Sequence, residues 1–242
     1  MKVIKQFLIC LIELFFKVYF ALFGQPKPSV NLRKTLKLYN NKGFSQLFNK
    51  IRVWDAPYDD IEKLVPRKGV ILDLGSGDGL LGNFLAISSP QRKVLGVEIN
   101  KERVRNSSQI SNKTSFKVGN ILEDNFPKAE VITLIHVLHH LSSYEDQERL
   151  ICKCKDKLKT GGVLVIAEIV EKPILKFIFT AITDYVILPI LFENKLFSGK
   201  IHFRSLKAWQ KLLKNNGFII STKLINRGMP FSHVIIEARL KR

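Results

Sequence analysis

Cysteine is scarce in this chain: Cys10, Cys152 and Cys154 are the only three in 242 residues. An odd count without framework spacing excludes a disulfide scaffold and suits a reducing compartment. Cys152-x-Cys154 has no further Cys or His nearby at ligand spacing, and residues two apart on a helix point to different sides, so no metal site is read there. Acidic residues are also in short supply, 21 Asp and Glu against 39 Lys and Arg, for a formal charge of +18. That excess draws the protein towards polyanions, either nucleic acid or anionic lipid headgroups. Charge alone does not choose between them. Internal repeats and low-complexity tracts are absent. Hydrophobic residues make up 46%, which argues against disorder. The length suits one α/β domain with one sizeable core plus an appendage.

Two hydrophobic segments stand out. The first, residues 1–24, has a positive start and an apolar run, but Glu13 and Lys17 interrupt it and no small-x-small cleavage site follows. At about 100° per residue, Lys2, Lys5, Gln6, Glu13 and Lys17 fall in one sector of roughly 120°. The rest of the helix is Leu, Ile, Phe, Val and Tyr. Such a helix can lie in a bilayer interface with its basic residues reaching headgroups. It can also span as a poor transmembrane helix, or dock on the protein's own core. The second segment, Pro173 to Phe197, gathers Lys176, Thr180, Thr183 and Asp184 on one helical face and is otherwise apolar and aromatic. Pro189 is expected to break or kink it.

Residues 25–37 are basic and Pro-bearing and read as a linker. Residues 38–64 read as mostly helical, so 25–65 form a basic linker and helical cap. From residue 66 short apolar runs alternate with helical stretches: strands at Val70–Leu74, Lys93–Ile99, Ser115–Val118, Val131–His136 and Val163–Ile169, helices at Leu80–Ser88, Lys101–Ile110 and Ser142–Leu158, and a turn at 159–162. Fully apolar strands in this alternation indicate a parallel sheet covered on both faces. A helix, Ser205–Asn216, and two strands, Phe218–Ile225 and His233–Leu240, close the chain.

The informative stretch is Asp73-Leu74-Gly75-Ser76-Gly77-Asp78-Gly79, where a buried strand runs into three alternating glycines and then a helix. Glycine lets a ligand approach the backbone closely, and the loop lies at the carboxyl end of the first strand, where open α/β sheets bind ligands. The next strand ends in Glu98, whose carboxylate can accept both hydrogen bonds of a ribose diol. Gly77-x-Gly79-x-x-Gly82 also fits a nicotinamide-dinucleotide loop. Against that reading, Asp73 sits where a carboxylate suits a cationic ligand better than a pyrophosphate, Gly75 adds a glycine upstream, and the ending is not a second mononucleotide half.

With Gly119-Asn120, the run Ile135-His136-Val137-Leu138-His139-His140-Leu141, the run Leu158-Lys159-Thr160-Gly161-Gly162-Val163-Leu164 and the ending Trp209 to Phe218, residues 66–242 resemble a class I S-adenosylmethionine-dependent methyltransferase. The resemblance implies a Rossmann-like, doubly wound α/β sheet, mostly parallel with an antiparallel last strand, and S-adenosylmethionine as cofactor. It implies that Gly75, Ser76, Gly77 and Gly79 line the methionine and ribose parts, that Asp73 serves the methionyl end, and that Glu98 holds the ribose hydroxyls. It implies further that Ile99 packs on adenine, that Asn120 meets the adenine amino group, that Ile121 belongs to the cofactor site, and that His136 lies beside the sulfonium. His139 and His140 are the candidate bases for an acceptor that must lose a proton.

The end of the fourth strand lacks the Asp/Asn-Pro-Pro-aromatic sequence that the resemblance would require for methylating an amide or exocyclic base nitrogen. No cysteine stands near it to attack a pyrimidine ring. Inserts after strand five usually cover the acceptor pocket in this family, and 173–197 occupies that place. Its apolar content, the N-terminal helix and the basic charge point to a small or lipid-like acceptor reached from an anionic membrane surface on the cytoplasmic side. The alternatives are an RNA methyltransferase, a nicotinamide-dependent oxidoreductase, and a non-catalytic membrane adaptor on the same fold.

Overall fold

The structure, a computed structural model, describes residues 2–24, 27–39, 49, 51–53, 55–107, 113–193, 195–225 and 231–240. Seven strands form one sheet: β1 (Lys68–Leu74), β2 (Gln91–Glu98), β3 (Thr114–Val118), β4 (Ala129–Ile135), β5 (Leu158–Ile169), β6 (Phe218–Ile225) and β7 (His233–Leu240). Their order is β3-β2-β1-β4-β5-β7-β6. The first five strands pair in parallel, and β7 runs antiparallel between β5 and β6. This is the expected doubly wound sheet with an antiparallel last strand. The strand order reverses between β1 and β4, which opens a crevice at their carboxyl ends.

Alternation along each strand sorts the core into two layers. In β4, Ile132 and Leu134 face helices α6 (Tyr144–Lys157) and α8 (Leu206–Asn215), where they meet Leu150, Ile151, Trp209 and Leu213. Val131 and Ile135 face the opposite layer, built on α2 (Val30–Lys37), α3 (Tyr58–Leu64) and α4 (Leu80–Ser88) through Leu32, Ile61, Phe84 and Leu85. Side-chain oxygens start the helices: Ser143 accepts from the Asp146 amide, and Ser205 from that of Ala208. The short helix α5 (Lys101–Asn106) is likewise capped by Asn100 and buries no side chain.

Several local expectations are corrected. The presumed linker contains α2, capped by Ser29 and anchored by the buried Leu32. Residues 159–162, read as a turn, lie within β5, where the pairing with β4 shifts register between Ala129 and Val131. The helix expected over Lys101–Ile110 ends at Asn106; residues 108–112 lie outside the described ones, as do Trp54 and the 226–230 connection. Pro189 neither breaks nor ends its helix. Helix α7 (Ile174–Ile182) continues through two π-helical turns, Thr183–Ile187 and Pro189–Glu193. Proline offers no N–H and crowds the carbonyl four residues back; a wider turn, bonding five residues apart, tolerates both.

Helix α1 (Lys2–Phe23) docks by a narrow stripe. Phe16 and Phe20 are buried with Phe231, and Phe15 stacks on Phe179 of α7 at 5.0 Å. Phe7, Leu14, Val18 and Leu22 remain exposed.

Arg92, at the start of β2, is wholly buried and locks the helical cap to the sheet. Its guanidinium donates to Glu62 Oε1 at 2.9 Å and to the carbonyls of Pro66, Val65 and Leu85. Arg92→Met leaves those acceptors without their donor and is expected to cost about 3 kcal/mol, read as a lower urea midpoint with an unchanged slope.

Candidate active site

The glycine loop is held by strand β2. The amides of Gly75 and Ser76 both donate to the Val97 carbonyl, at 2.8 and 3.0 Å. Gly75 has φ +75°, and a Cβ there would stand 2.4 Å from Val137 Cγ2. Gly79 has φ +76°, and its Cβ would meet the Phe116 ring at 2.6 Å. Both positions therefore demand glycine. Tyr39 clamps the loop from the cap: its hydroxyl donates to the Asp78 carbonyl at 2.9 Å and accepts from Asn83 Nδ2 at 2.7 Å.

Two carboxylates face this loop. Glu98 accepts from the Gly77 amide through Oε2 and from the Asn100 amide through Oε1, each at 2.9 Å. One bond per oxygen leaves acceptor capacity on both. Asp73 accepts from Thr133 Oγ1 at 2.7 Å through Oδ1, and its buried Oδ2 has no hydrogen-bond partner. Burial, aided by the Glu98 charge and opposed by the Thr133 bond, pushes the Asp73 carboxyl up to about 6. An unpaired buried carboxylate oxygen, an acceptor-bearing strand tip and a backbone bare of side chains fit a cationic ligand with a diol, as S-adenosylmethionine is. Ile99 is exposed beyond β2. Asn120 accepts from the Leu122 amide at 3.0 Å, which keeps a lone pair on its carbonyl, and Ile121 is half-buried beside it.

A second cluster forms beyond β4. His136 is the one described residue other than glycine with positive φ, +56°, a conformation that costs of order 1–3 kcal/mol and concentrates at functional sites. The loop after it is organised by Glu168, buried near the end of β5. Glu168 Oε1 accepts from the amides of Val137 and Leu138 at 3.2 and 2.8 Å, and Oε2 lies 2.6 Å from His139 Nδ1. A carboxylate there fixes the proton on Nδ1, so Nε2 of the neutral imidazole carries the free lone pair. Nε2 looks towards Asp184 Oδ2, 3.5 Å away. Burial opposes the charge of His139, but Glu168 and then Asp184 outweigh it, and the imidazole is raised above its ordinary value. Asp184 is pushed up to about 7 by burial, against the pull of His139.

Beside this pair sit Arg52, Asp55, His136 and His233. Asp55 Oδ2 lies 2.9 Å from Arg52 Nη1 and 3.5 Å from His136 Nδ1, and Oδ1 lies 3.1 Å from His233 Nε2. Burial would raise the Asp55 carboxyl; His136, His233 and Arg52 hold it below the usual carboxylate range. Burial likewise keeps His136 neutral, well below its ordinary value. Asp55, His136 and His233 could group around a cation, as could His139, His140 and Asp184, though Arg52 already places positive charge on the first trio.

The structure brings Asp73, Gly75, Ser76, Gly77, Gly79 and Glu98 together around one loop, and His136, His139 and His140 around one cavity. The two adjacent histidines differ in burial: His139 is buried on Glu168, whereas His140 is exposed. Sequence reasoning missed Tyr39, Arg52, Asp55, Glu168 and His233, and gave Asp184 no role. A charged residue within the apolar strand Val163–Ile169 was the available signal for Glu168. The two cysteines separate as expected, Cys152 exposed and Cys154 buried, with burial pushing the Cys154 thiol up to about 12.

Residues 45–222, most of the chain, match a family described as a methyltransferase domain. Among solved structures, an S-adenosylmethionine-dependent methyltransferase from Methanosarcina mazei is 22% identical, over 77% of this chain and 99% of its own, with a TM-score of 0.59. Human N-acetylserotonin methyltransferase, solved with S-adenosylmethionine, is 19% identical over 93% of this chain and 62% of its own, with a TM-score of 0.60. An O-methyltransferase from neocarzinostatin biosynthesis, solved with S-adenosylhomocysteine and 1,4-dihydroxy-2-naphthoic acid, is 17% identical over 84% of this chain and 59% of its own, at a TM-score of 0.57. The chain thus spans about three fifths of the length of the last two. These likenesses show the fold. No curated protein matches the sequence. With β7 inserted antiparallel where a second mononucleotide half would continue in parallel, the nicotinamide reading falls away. A matched family domain over most of the chain, on this sheet and around this loop, places the protein in the methyltransferase domain family, as a class I enzyme with S-adenosylmethionine as cofactor.

Proposed function

We propose that the protein methylates a hydroxyl group of a lipid-like acceptor at the cytoplasmic face of an anionic membrane, with His139 as general base. The observation that carries this reading is the buried His139–Glu168 pair, whose free Nε2 opens on a cavity walled by Ile51, Ile169, Thr180, Leu188 and Phe231.

S-adenosylmethionine, when bound, supplies a methyl group already activated on a sulfonium, so the protein has to bind, align and exclude water. Asp73 supplies an unpaired carboxylate to the cationic end, and Glu98 accepts from the ribose hydroxyls. Gly75, Ser76, Gly77 and Gly79 let the ligand lie against the backbone. Ile99, Asn120 and Ile121 form the adenine side, and His136 stands at the junction of the two halves of the site. His139 Nε2 takes the acceptor hydroxyl's proton as the oxygen gains its methyl group. Glu168 stabilises the imidazolium so formed and holds its orientation. His140 lines the same cavity, its ring 4.1 Å from that of His139 between centroids, but no hydrogen bond to a carboxylate fixes its tautomer among the described residues, and it is left a packing role.

Membrane association rests on α1 and α7. α1, and α7 together with the π-helical turns that continue it, each supply an 18-residue window long and apolar enough to cross a bilayer, Gln6–Phe23 and Ile174–Leu191, and most residues of both windows are not buried. Because the second window also delivers the charged pair partner Asp184 to the site, and the first docks Phe16 and Phe20 on the protein, both helices are read as lying in the interface.

The pH dependence follows from His139. A base must be neutral, and its pKa is raised, so kcat/KM is expected to rise with pH through a value above 6.5. Glu168→Gln should move that inflection to lower pH and cut kcat by about 10–100-fold, and His139→Ala should cost about 10²–10⁴-fold, both with cofactor affinity retained by calorimetry. A pH profile unmoved by Glu168→Gln would overturn the dyad. For Asp73, whose carboxyl protonates near pH 6, S-adenosylmethionine affinity is expected to fall as pH drops below that value. Asp73→Asn should weaken binding at least tenfold (about 1.4 kcal/mol) and abolish the pH dependence. Methyl-labelled cofactor incubated with a fractionated lipid and RNA extract should label the lipid fraction, and label in RNA would reverse the acceptor reading. The full chain should float with anionic vesicles, and the doubly substituted Leu14→Glu/Leu22→Glu chain should remain in the soluble fraction.

A further inference from the structure

We infer that the groove between α1 and the π-helical turns is a binding site for a single hydrocarbon chain, and that it feeds the acceptor's reactive end to His139 from the bilayer. This rests on the reading of His139 and its cavity given above, and concerns what lies behind that cavity.

The cavity at His136, His139 and Asp184 measures about 50 Å³. A liquid water molecule claims about 30 Å³, so this space admits the reacting group and little else. The remainder of any larger acceptor must leave through a wall. Ile51, Thr183, Leu188 and Phe231 form part of that wall, and the same four residues also line a second, larger cavity of about 240 Å³. Its far side is Leu11 and Phe15 of α1, with Phe179 and Ile187 facing them. The two spaces are thus back to back across shared side chains.

The lining chemistry selects the occupant. Among the described residues that line the groove Thr183 is the single polar one, and its hydroxyl already donates to the Phe179 carbonyl at 2.9 Å. A peptide segment laid there would bury amides and carbonyls with nothing to bond them, at a cost of roughly 1–3 kcal/mol each. A hydrocarbon chain has no such groups to satisfy. The helices on either side agree: Leu14, Val18 and Leu22 on α1 and Ile174, Leu175 and Ile178 on α7 are exposed apolar residues. The groove therefore lies between two helices suited to a lipid interface. The π turns place Thr183, Ile187 and Leu191 on the groove wall, with Leu188 between the two turns, and such turns are frequent at functional sites.

The test uses the full chain and a series of straight-chain alcohols from hexanol to hexadecanol, displacing a fluorescent polyene fatty acid. Affinity is expected to rise with chain length and then level off once the groove is filled. Ile187→Trp, which fills the groove, should weaken the long alcohols at least tenfold while leaving S-adenosylmethionine binding unchanged. Leu11→Trp, placed on the opposite wall, provides the same test should the first variant not fold. His139→Ala should bind the alcohols as the wild type does. Affinity independent of chain length, or unmoved by both folded variants, overturns the inference. So does light scattering that shows a dimer which Ile187→Trp dissociates, because a second copy then fills the groove. Alcohol binding that persists while labelled methyl reaches no lipid leaves the groove standing and removes the reaction assigned to His139.

Discussion

Glu168 enters the interior near the end of a strand that is otherwise apolar, and burying an uncompensated carboxylate costs several kcal/mol. Its partners meet that cost. Two successive backbone amides and one imidazole nitrogen converge on its oxygens. Those amides belong to the loop that follows β4, so the carboxylate dictates where that loop runs. The left-handed backbone at His136 turns the chain into it, and His139 arrives with one ring nitrogen committed to Glu168 and the other turned towards Asp184 and the cavity. Position, tautomer and basicity of the imidazole thus descend from a single buried charge on the neighbouring strand.

The parts of the site that were legible in the sequence are those encoded locally. A strand, three alternating glycines and a helix occupy consecutive residues, and Glu98 follows one strand later, so the loop and its carboxylates could be read together. The sheet was legible for the same reason, because apolar runs of strand length alternate with helical periods. The acid–base cluster was not, since its members are scattered: Asp55 precedes the sheet, Glu168 ends β5, Asp184 sits in the insert and His233 opens the last strand. Only the fold makes them neighbours. His139 and His140 were indistinguishable as a pair, because the difference between them is which one meets a carboxylate 29 residues away.

The cap that precedes the sheet also proves to be part of the site. Tyr39 holds the glycine loop by the Asp78 carbonyl, and Arg52 and Asp55 reach His136 and His233. Polar side chains from a region read as a cover help shape both halves of the crevice. Burial explains why: each would be expensive to leave unpaired, so each is found against a partner from the glycine loop and its helix, from the cap itself or from the histidine cluster.

The two π turns have a consequence for the whole insert. A helix that accommodates an extra residue per turn changes phase, and everything after it points in a new direction. Ahead of the first such turn, the helix of residues 174–182 presents Ile174, Leu175 and Ile178 outward. Within and after it, Asp184 reaches inward to an imidazole while Ile187 and Leu191 wall the groove. One continuous rod therefore presents an exposed apolar face, a carboxylate turned to a buried imidazole and the wall of an apolar cavity in succession. Deleting a single residue between 183 and 193 would rotate the downstream portion by about 100°, so this stretch should tolerate changes of side chain far better than changes of length.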